Sequence, residues 1–337
     1  MDVGWTQSKI PVISSDHHIV PASKNNEPGK HMGICDGKVV IVTGAGRGIG
    51  RGHALEFARQ GAKVVVNDLG GARDGVGGDL TPAQEVVAEI EAMGGEAIAN
   101  GDDVSSWDGA ANMINQAVEH FGTLHVLVNN AGILRDRMLA NMTEEEWDAV
   151  INVHLKGTFA PARHAAAYWR EMIKNDTPVE GAALINTSST SGVFGNPGQT
   201  NYGAAKAGIA SFSIIASAEL GRYGVTVNCI APGARTRMTE DLPYGQQEIE
   251  KGEFDFLHPD NVAPTVVWLG SNEPAAREVT GRVFLVNGGT ISCMEGWEGG
   301  PKANKDDRWD PAELSDVIPG LVAQAKENVM TRRRRPS

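Results

Sequence analysis

Cysteine is scarce in this chain: Cys35, Cys229 and Cys293 are the three among 337 residues. They are odd in number, far apart and in no metal-ligand spacing. That argues against a disulfide framework or a thiolate metal centre and suits a reducing cytoplasm. His17 and His18 stand together without a third ligand, so no metal is expected. An excess of positive charge is missing too. Lys+Arg 30 against Asp+Glu 42 gives a net charge of −12, which argues against nucleic acid as a main partner. No apolar run reaches the roughly 18 residues of a membrane span. Residues 1–31 lack the apolar core of a signal peptide and read as a polar N-terminal extension. There is no internal repeat and no low-complexity linker.

What is present is an alternation of strand and helix patterns beginning near residue 38. "KVVIVT" (38–43) and "VVVN" (64–67) are continuous β-branched runs, as expected of strands buried on both faces of a parallel sheet. Between them "GIGRGHALEFARQ" carries Leu55, Phe57 and Ala58 at helical spacing and stops at Gly61. Thr81-Pro82-Ala83-Gln84 has capping-box spacing with Pro at the first helical position, followed by the stripe Val86, Ile90, Met93. Further strands are expected at "HVLVNN" (125–130), "AALINTSS" (182–189), "GVTVNCIAPG" (224–233) and "GRVFLVNGG" (281–289). Thr143 and Glu146 are spaced to cap a helix through Trp147, Val150 and Ile151. Pro161 falls inside a helical stretch and cannot donate to the Gly157 carbonyl, so a kink is expected there. The pattern implies one α/β domain with a doubly wound parallel sheet, a Rossmann fold. The domain is expected over 36–289, between extensions at 1–35 and 290–337. Asp310-Pro311 and Glu313 announce a short helix in the second extension, and Arg332–Arg335 read as a solvated tail.

"TGAGRGIG" (43–50) follows the first strand and opens the first helix. Gly44, Gly48 and Gly50 permit a tight turn and close backbone approach, leaving helix N–H groups for a pyrophosphate. Asp68 ends the second strand, where a carboxylate hydrogen-bonds the adenosine ribose hydroxyls and repels a 2′-phosphate. Arg47 pulls the other way, as a cation able to welcome that phosphate. Close-range charge repulsion makes Asp68 the heavier weight, so NAD is expected over NADP. Tyr202 and Lys206 lie four apart on one helix face, with only Gly and Ala between them. They read either as a phenol packed on a lysine stem, or as a phenol whose pKa a fixed ammonium lowers for proton transfer.

"TGAGRGIG", Asp103-Val104, "NNAG" (129–132), Ser189, and Tyr202 with Lys206 occur together. On these motifs the chain resembles the short-chain dehydrogenase/reductase family over about residues 36–289. "VVVNDLGG", "VNNAGILRDRM" and "HLKGTF" are similar to the branch that acts as (3R)-hydroxyacyl-CoA dehydrogenase, found within peroxisomal multifunctional enzymes and as free-standing actinobacterial proteins. Some of those relatives are linked to sterol side-chain breakdown. The resemblance implies an oxidoreductase in which Tyr202 takes the substrate hydroxyl proton, Ser189 steadies the oxygen, and Lys206 serves both Tyr202 and the nicotinamide ribose. An ammonium beside the phenolate is worth up to ~4 kcal/mol at an effective dielectric of about 20, or roughly three pKa units downward. Gly203, Ala204 and Ala205 are expected to let the cofactor approach. The implied cofactor set is Gly44, Arg47, Gly48, Ile49, Gly50, Asp68, Asp103, Val104, Asn130, Ala131, Gly132, Tyr202, Lys206, Pro232, Gly233 and Thr236.

The implied substrate is a 3-hydroxyacyl-CoA; free hydroxysteroids and other secondary alcohols, or a 3-oxoacyl group to be reduced, are the alternatives. A non-catalytic nucleotide-binding protein would have no need of Ser189, Tyr202 and Lys206. Met238, Leu242, Tyr244, Phe254, Phe256 and Leu257 are candidates for an apolar slot, and Arg135, Arg137 and Arg237 for contacts to coenzyme A. A homodimer or homotetramer is implied, paired through alanine-rich helices at about 143–173 and 198–221. At "NVHLKGTF" (152–159) the chain departs from most of the family, placing His154 where an Asn is usual. Asn152, two residues earlier, lies about 200° around the helix and is no substitute from the same face. His154 is either a filler or a neutral imidazole, its pKa pushed down by Lys206, that joins a proton relay.

Overall fold

A computed structural model of the protein describes residues 33–71, 74, 77, 80–235, 253–296 and 298–326. Strand β1 (Val39–Thr43) leads through the glycine turn into α1 (Gly48–Arg59), and β2 (Lys63–Asn67) into α2 (Thr81–Ala92). There follow β3 (Ala97–Asn100), α3 (Trp107–Phe121), β4 (Val126–Asn129), α4 (Glu144–Ile151), a π-turn at Asn152–Lys156, and α5 (Gly157–Lys174). Next are β5 (Ala183–Thr187), the short α6 (Thr190–Phe194), α7 (Thr200–Leu220), β6 (Thr226–Gly233), α8 (Ala263–Leu269) and α9 (Pro274–Arg277). β7 (Val283–Asn287), β8 (Thr290–Cys293) and α10 (Leu314–Gln324) complete the order.

The eight strands form one sheet in the order β3-β2-β1-β4-β5-β6-β7-β8, parallel except for the antiparallel β8. Successive residues of a strand face opposite sides, which is why both layers are apolar. Val40 and Val42 pack beneath α1, α2 and α8, whereas Val39 and Ile41 pack against α3, α5 and α7. Cys35 is buried in the first of these cores. Because β1 sits beside β4 rather than β3, the strand order reverses between them. Ligands of open α/β sheets bind in the crevice at the carboxyl ends of the strands where that reversal occurs.

The expected doubly wound sheet is present, with differences that have local causes. β3 and β8 were not expected; each is four residues long, and "AIAN" and "TISC" are too short to show a period. The Thr143–Glu146 capping box is made in both directions. The Thr81 box is not: Leu80 is the N-cap, Thr81 is already helical, and Pro82 takes the second position. The first four N–H groups of a helix lack intrahelical partners anyway, so proline is tolerated there too. Pro161 lies within α5, and the irregularity falls upstream, where the Gly157 N–H bonds the Asn152 carbonyl five residues back. Such π-turns commonly mark functional sites. Among the described residues, no helix is long and apolar enough to cross a membrane, and no cluster of His, Cys, Asp and Glu could hold a metal ion.

Candidate active site

The carboxyl ends of β1 and β4 meet through hydrogen bonds that their sequences supply. The Thr43 hydroxyl accepts from the N–H groups of Asn130 and Ala131 at 2.9 and 3.1 Å, and the Asn130 amide donates to the carbonyls of Thr43 and Gly44. A Cβ on Gly50 would lie 2.1 Å from the Gly44 carbonyl oxygen, so only glycine allows this turn to close. Helix α1 starts without a side-chain cap and with no acidic residue in its first turn, leaving its N-terminal donors to a ligand. Arg47 is its exposed N-cap, Gly48 its first residue, and Ile49 packs on the core. Asp68 follows β2 and accepts from the N–H groups of Gly46 and Gly70, both at 2.7 Å. Asp103 and Val104 follow β3, with the Asp103 carboxylate held by Ser105 and Val104 buried. Asn152 reaches this side of the crevice: its amide donates to the Ser105 hydroxyl at 3.0 Å. Pro232 and Gly233 end β6; Thr236 lies outside the described residues. Polar loops, a tight glycine turn and an uncapped helix N-terminus at the strand reversal fit a dinucleotide.

Ser189, Tyr202 and Lys206, the residues expected to transfer the proton, come together at the carboxyl end of β5. Ser189 is the N-cap of α6, where its hydroxyl accepts from the Ser191 N–H at 3.2 Å, and it lies near enough to the Tyr202 phenol to favour the phenolate. Tyr202 lies in the first turn of α7, and the Lys206 ammonium is 5.6 Å from the centre of its ring. Lys206 is buried, its ammonium donating to the Thr187 carbonyl at 2.6 Å while its own carbonyl accepts from the Ser188 hydroxyl. Helix α6 lies so close that a Cβ on Gly192 would sit 2.6 Å from the Ala207 nitrogen. The small residues after Tyr202 serve this packing: Gly203 faces the Ser191 carbonyl, Ala205 is buried and Ala204 is exposed.

The electrostatics run against the expected lowering of the Tyr202 pKa. Burial pushes the phenol up to about 12, opposed by the nearby Ser189 hydroxyl and helped by the Asp136 carboxylate. Burial likewise pushes Lys206 down to about 8. Desolvation disfavours whichever form is charged, and in both groups it is the largest cause of the shift.

His154 is buried in the π-turn and braces the site. Its ring meets that of Tyr202 edge to face, with centroids 5.0 Å apart. Nε2 is 2.7 Å from the Ile133 carbonyl oxygen and 3.1 Å from the Ile133 nitrogen. A Cβ on Gly132 would lie 2.3 Å from the imidazole, which fits glycine alone at that position. Burial, and secondly the Lys206 charge, hold the imidazole down to about 3, so it is neutral.

The candidate substrate contacts divide. Arg137 is paired with Glu146 at 2.9 Å, and the Arg135 side chain donates to the Asp74 carbonyl. Phe256 packs over Gly288, Phe254 is exposed, and Leu257 accepts from the Arg235 N–H. Arg237, Met238, Leu242 and Tyr244 lie outside the described residues. Asp136, Ser191 and Gln199, which link the loops around Tyr202, carried no sequence signal, since they are polar residues without a motif.

The model of the short chain dehydrogenase family matches residues 38–247, which take in the glycine turn, Ser189, Tyr202 and Lys206. The chain belongs to that family. It is 46% identical over 84% of its length to a *Mycobacterium tuberculosis* protein named hydroxyacyl-CoA dehydrogenase ChsB1, covering 87% of that protein. It is 41% identical over 78% of its length to mouse peroxisomal multifunctional enzyme type 2, of which it covers 33%. Among solved structures, a *Mycobacterium avium* short chain dehydrogenase is 56% identical, with a TM-score of 0.78 over 88% of this chain and 98% of that one. A *Burkholderia cenocepacia* short chain dehydrogenase solved in complex with NADP is 30% identical, with a TM-score of 0.64 over 75% and 98%. A nicotinamide-dependent oxidoreductase acting on CH–OH is therefore the activity of the fold and of the site.

Proposed function

We propose that the chain oxidises the 3-hydroxyl group of an acyl-CoA thioester, of fatty or steroid-derived chain, with NAD+. The Lys206 ammonium 5.6 Å from the Tyr202 ring, with the Ser189 hydroxyl close to the phenol, carries the reaction type; the names of the relatives support the substrate class. When bound, NAD+ accepts the hydride from the carbinol carbon and brings a positive charge to the site. Gly44, Gly48, Ile49, Gly50, Asp103, Val104, Asn130, Ala131 and Gly132 would hold it along the crevice, with Pro232 and Gly233 at its far end. Tyr202 takes the hydroxyl proton, and Ser189 donates a hydrogen bond to the oxygen that becomes the carbonyl. Lys206 lends positive charge to the phenolate, while His154, neutral and fixed on Ile133, keeps the phenol ring in place. The experiment is reduced-nicotinamide absorbance with NAD+ and a panel of (3R)-3-hydroxyacyl-CoA esters and free hydroxysteroids. Turnover of the thioesters is expected; turnover confined to the free alcohols would overturn the substrate class.

The NAD preference rests on Asp68. Its carboxylate would meet a 2′-phosphate at close range, a repulsion of several kcal/mol at an effective dielectric of about 20. Wild-type kcat/KM should favour NAD+ over NADP+, and Asp68→Ala should narrow that ratio by about 10- to 100-fold. A wild type that prefers NADP+ makes Arg47 the deciding residue instead.

The same reading makes the protein a cytoplasmic homodimer or homotetramer. Ile214 and Ile215 on α7 are 48% and 56% exposed, an apolar face suited to a second copy. Light scattering at micromolar concentration should show a multiple of the 35.7 kDa chain mass. A monomer alone would refute it.

A further inference from the structure

Gln199 is the N-cap of α7, yet its side chain does not cap the helix. Its carboxamide spans two other elements instead. The Oε1 atom accepts from the Ser191 hydroxyl at 2.6 Å and from the Asn196 amide at 2.9 Å, and Nε2 donates to the Asp136 carboxylate at 2.8 Å. Ser191 is buried in the first turn of α6, and its N–H donates to the Ser189 hydroxyl at 3.2 Å. The Gln199 carbonyl accepts from Gly203 at 2.7 Å, in the turn that holds Tyr202. One carboxamide thus ties the segment carrying Asp136 to the helix starts that carry Ser189 and Tyr202.

We propose that Gln199 is a positioning residue, clipping the Asp136 carboxylate to Ser191 so that Ser189 and Tyr202 keep their mutual distance and Asp136 keeps its place near the phenol. Two further links tie the same segment to α7: the Arg137 N–H on the Gly198 carbonyl, and the Asn201 amide on the Arg135 carbonyl. Neither reaches α6. Gln199 alone of the three joins all the parts, and its donor and acceptor ends match an acid on one side and a hydroxyl on the other.

The charges around Tyr202 fix the direction of the test. Lys206 on α7, pushed down to about 8, has lost its proton by the pH at which the phenol titrates, His154 in the π-turn is neutral, the Ser189 hydroxyl is close by, and Asp136 is the nearby anion, flanked by Arg135 and by Arg137 with its partner Glu146. Asp136 disfavours the phenolate. Asp136→Asn should therefore move the Tyr202 titration to lower pH, and Gln199→Glu, which sets a second carboxylate against Asp136, should move it higher.

The inference rests on the proposed oxidation for its kinetic arm only. The titration is read from phenolate absorbance in the full chain, each variant measured against its own Tyr202→Phe counterpart, and needs no substrate. In the kinetic arm Gln199→Glu should lower kcat about tenfold and leave the KM for NAD+ unchanged, because the cofactor-holding turns do not touch it. Gln199→Glu combined with Asp136→Asn swaps amide for acid, restores the hydrogen bond and should recover most of the lost kcat. A role in folding alone would lower thermal stability without shifting the phenol titration. Unchanged titration in both single variants, or no recovery in the double variant, overturns the inference. If no hydroxyacyl-CoA is turned over, the substrate reading fails while the titration still decides for or against Gln199.

Discussion

Tyr202→Phe lowers kcat by ~10²–10⁴-fold, the range in which a positioned acid–base group acts, with the KM for NAD+ held within about threefold. The substitution removes one oxygen and leaves the ring. The edge-to-face contact with His154 and the neighbouring Lys206 ammonium do not require the hydroxyl, so the pocket should keep its shape. The substrate proton then has no phenol oxygen to accept it. Because burial sets the phenol up to about 12 in the protein alone, the working phenolate depends on positive charge gathered around it. The pH–rate profile of the wild type should accordingly rise with pH on a limb below 12. That limb should be absent from the residual activity of the Phe variant. A kcat within tenfold of wild type would remove Tyr202 from proton transfer.

That sign of the Tyr202 shift was the part of the site least legible in the sequence. Four-residue spacing brings Lys206 to the phenol, and the ammonium is indeed beside the ring, but spacing carries no information on how deeply both are buried. Depth follows from the approach of α6, which a glycine at position 192 permits. Elements with long uniform signals were legible for the opposite reason. The runs Val39–Val42 and Val64–Val66 are apolar on both alternating faces because both sides of the sheet are covered, and Thr143 with Glu146 encode their cap locally. The glycine turn and Asp68 were legible because tight approach and charge at fixed offsets have few alternative causes. The four-residue β3 and β8 carry too few residues to show a period. The clip made by Gln199 joins residues 63 positions apart, through ordinary polar side chains. Pro161 suggested a kink within the helix, whereas the irregularity present is a π-turn at Asn152–Lys156, a change of hydrogen-bond register around His154 that residue types alone do not announce.

The second large effect is a steep loss of stability in acid. Three histidines are held neutral by burial: His53 and His154 down to about 3, and His125 down to about 4. In the unfolded chain each binds a proton near pH 6.5. Below that pH the unfolded state therefore holds more protons than the folded one, and stability falls as pH falls; above it the three contribute no slope. Each approaches about 1.4 kcal/mol per pH unit once its unfolded form is fully protonated, so together about 3 kcal/mol is lost between pH 6.5 and 5.5, against a total of about 5–15 kcal/mol for a folded domain. Urea midpoints at a series of pH values should be level near neutrality and drop sharply below 6. His53 isolates the effect, since it is fully buried on α1, outside the active site, and neither ring nitrogen has a hydrogen-bond partner among the described residues. Burying such groups costs free energy even at neutral pH. His53→Leu should therefore hold or raise the midpoint at pH 7.5 and reduce the acid slope by about one proton. A midpoint level from pH 7 to 5, or a variant with the wild-type slope, would show that these imidazoles take up protons in the folded state.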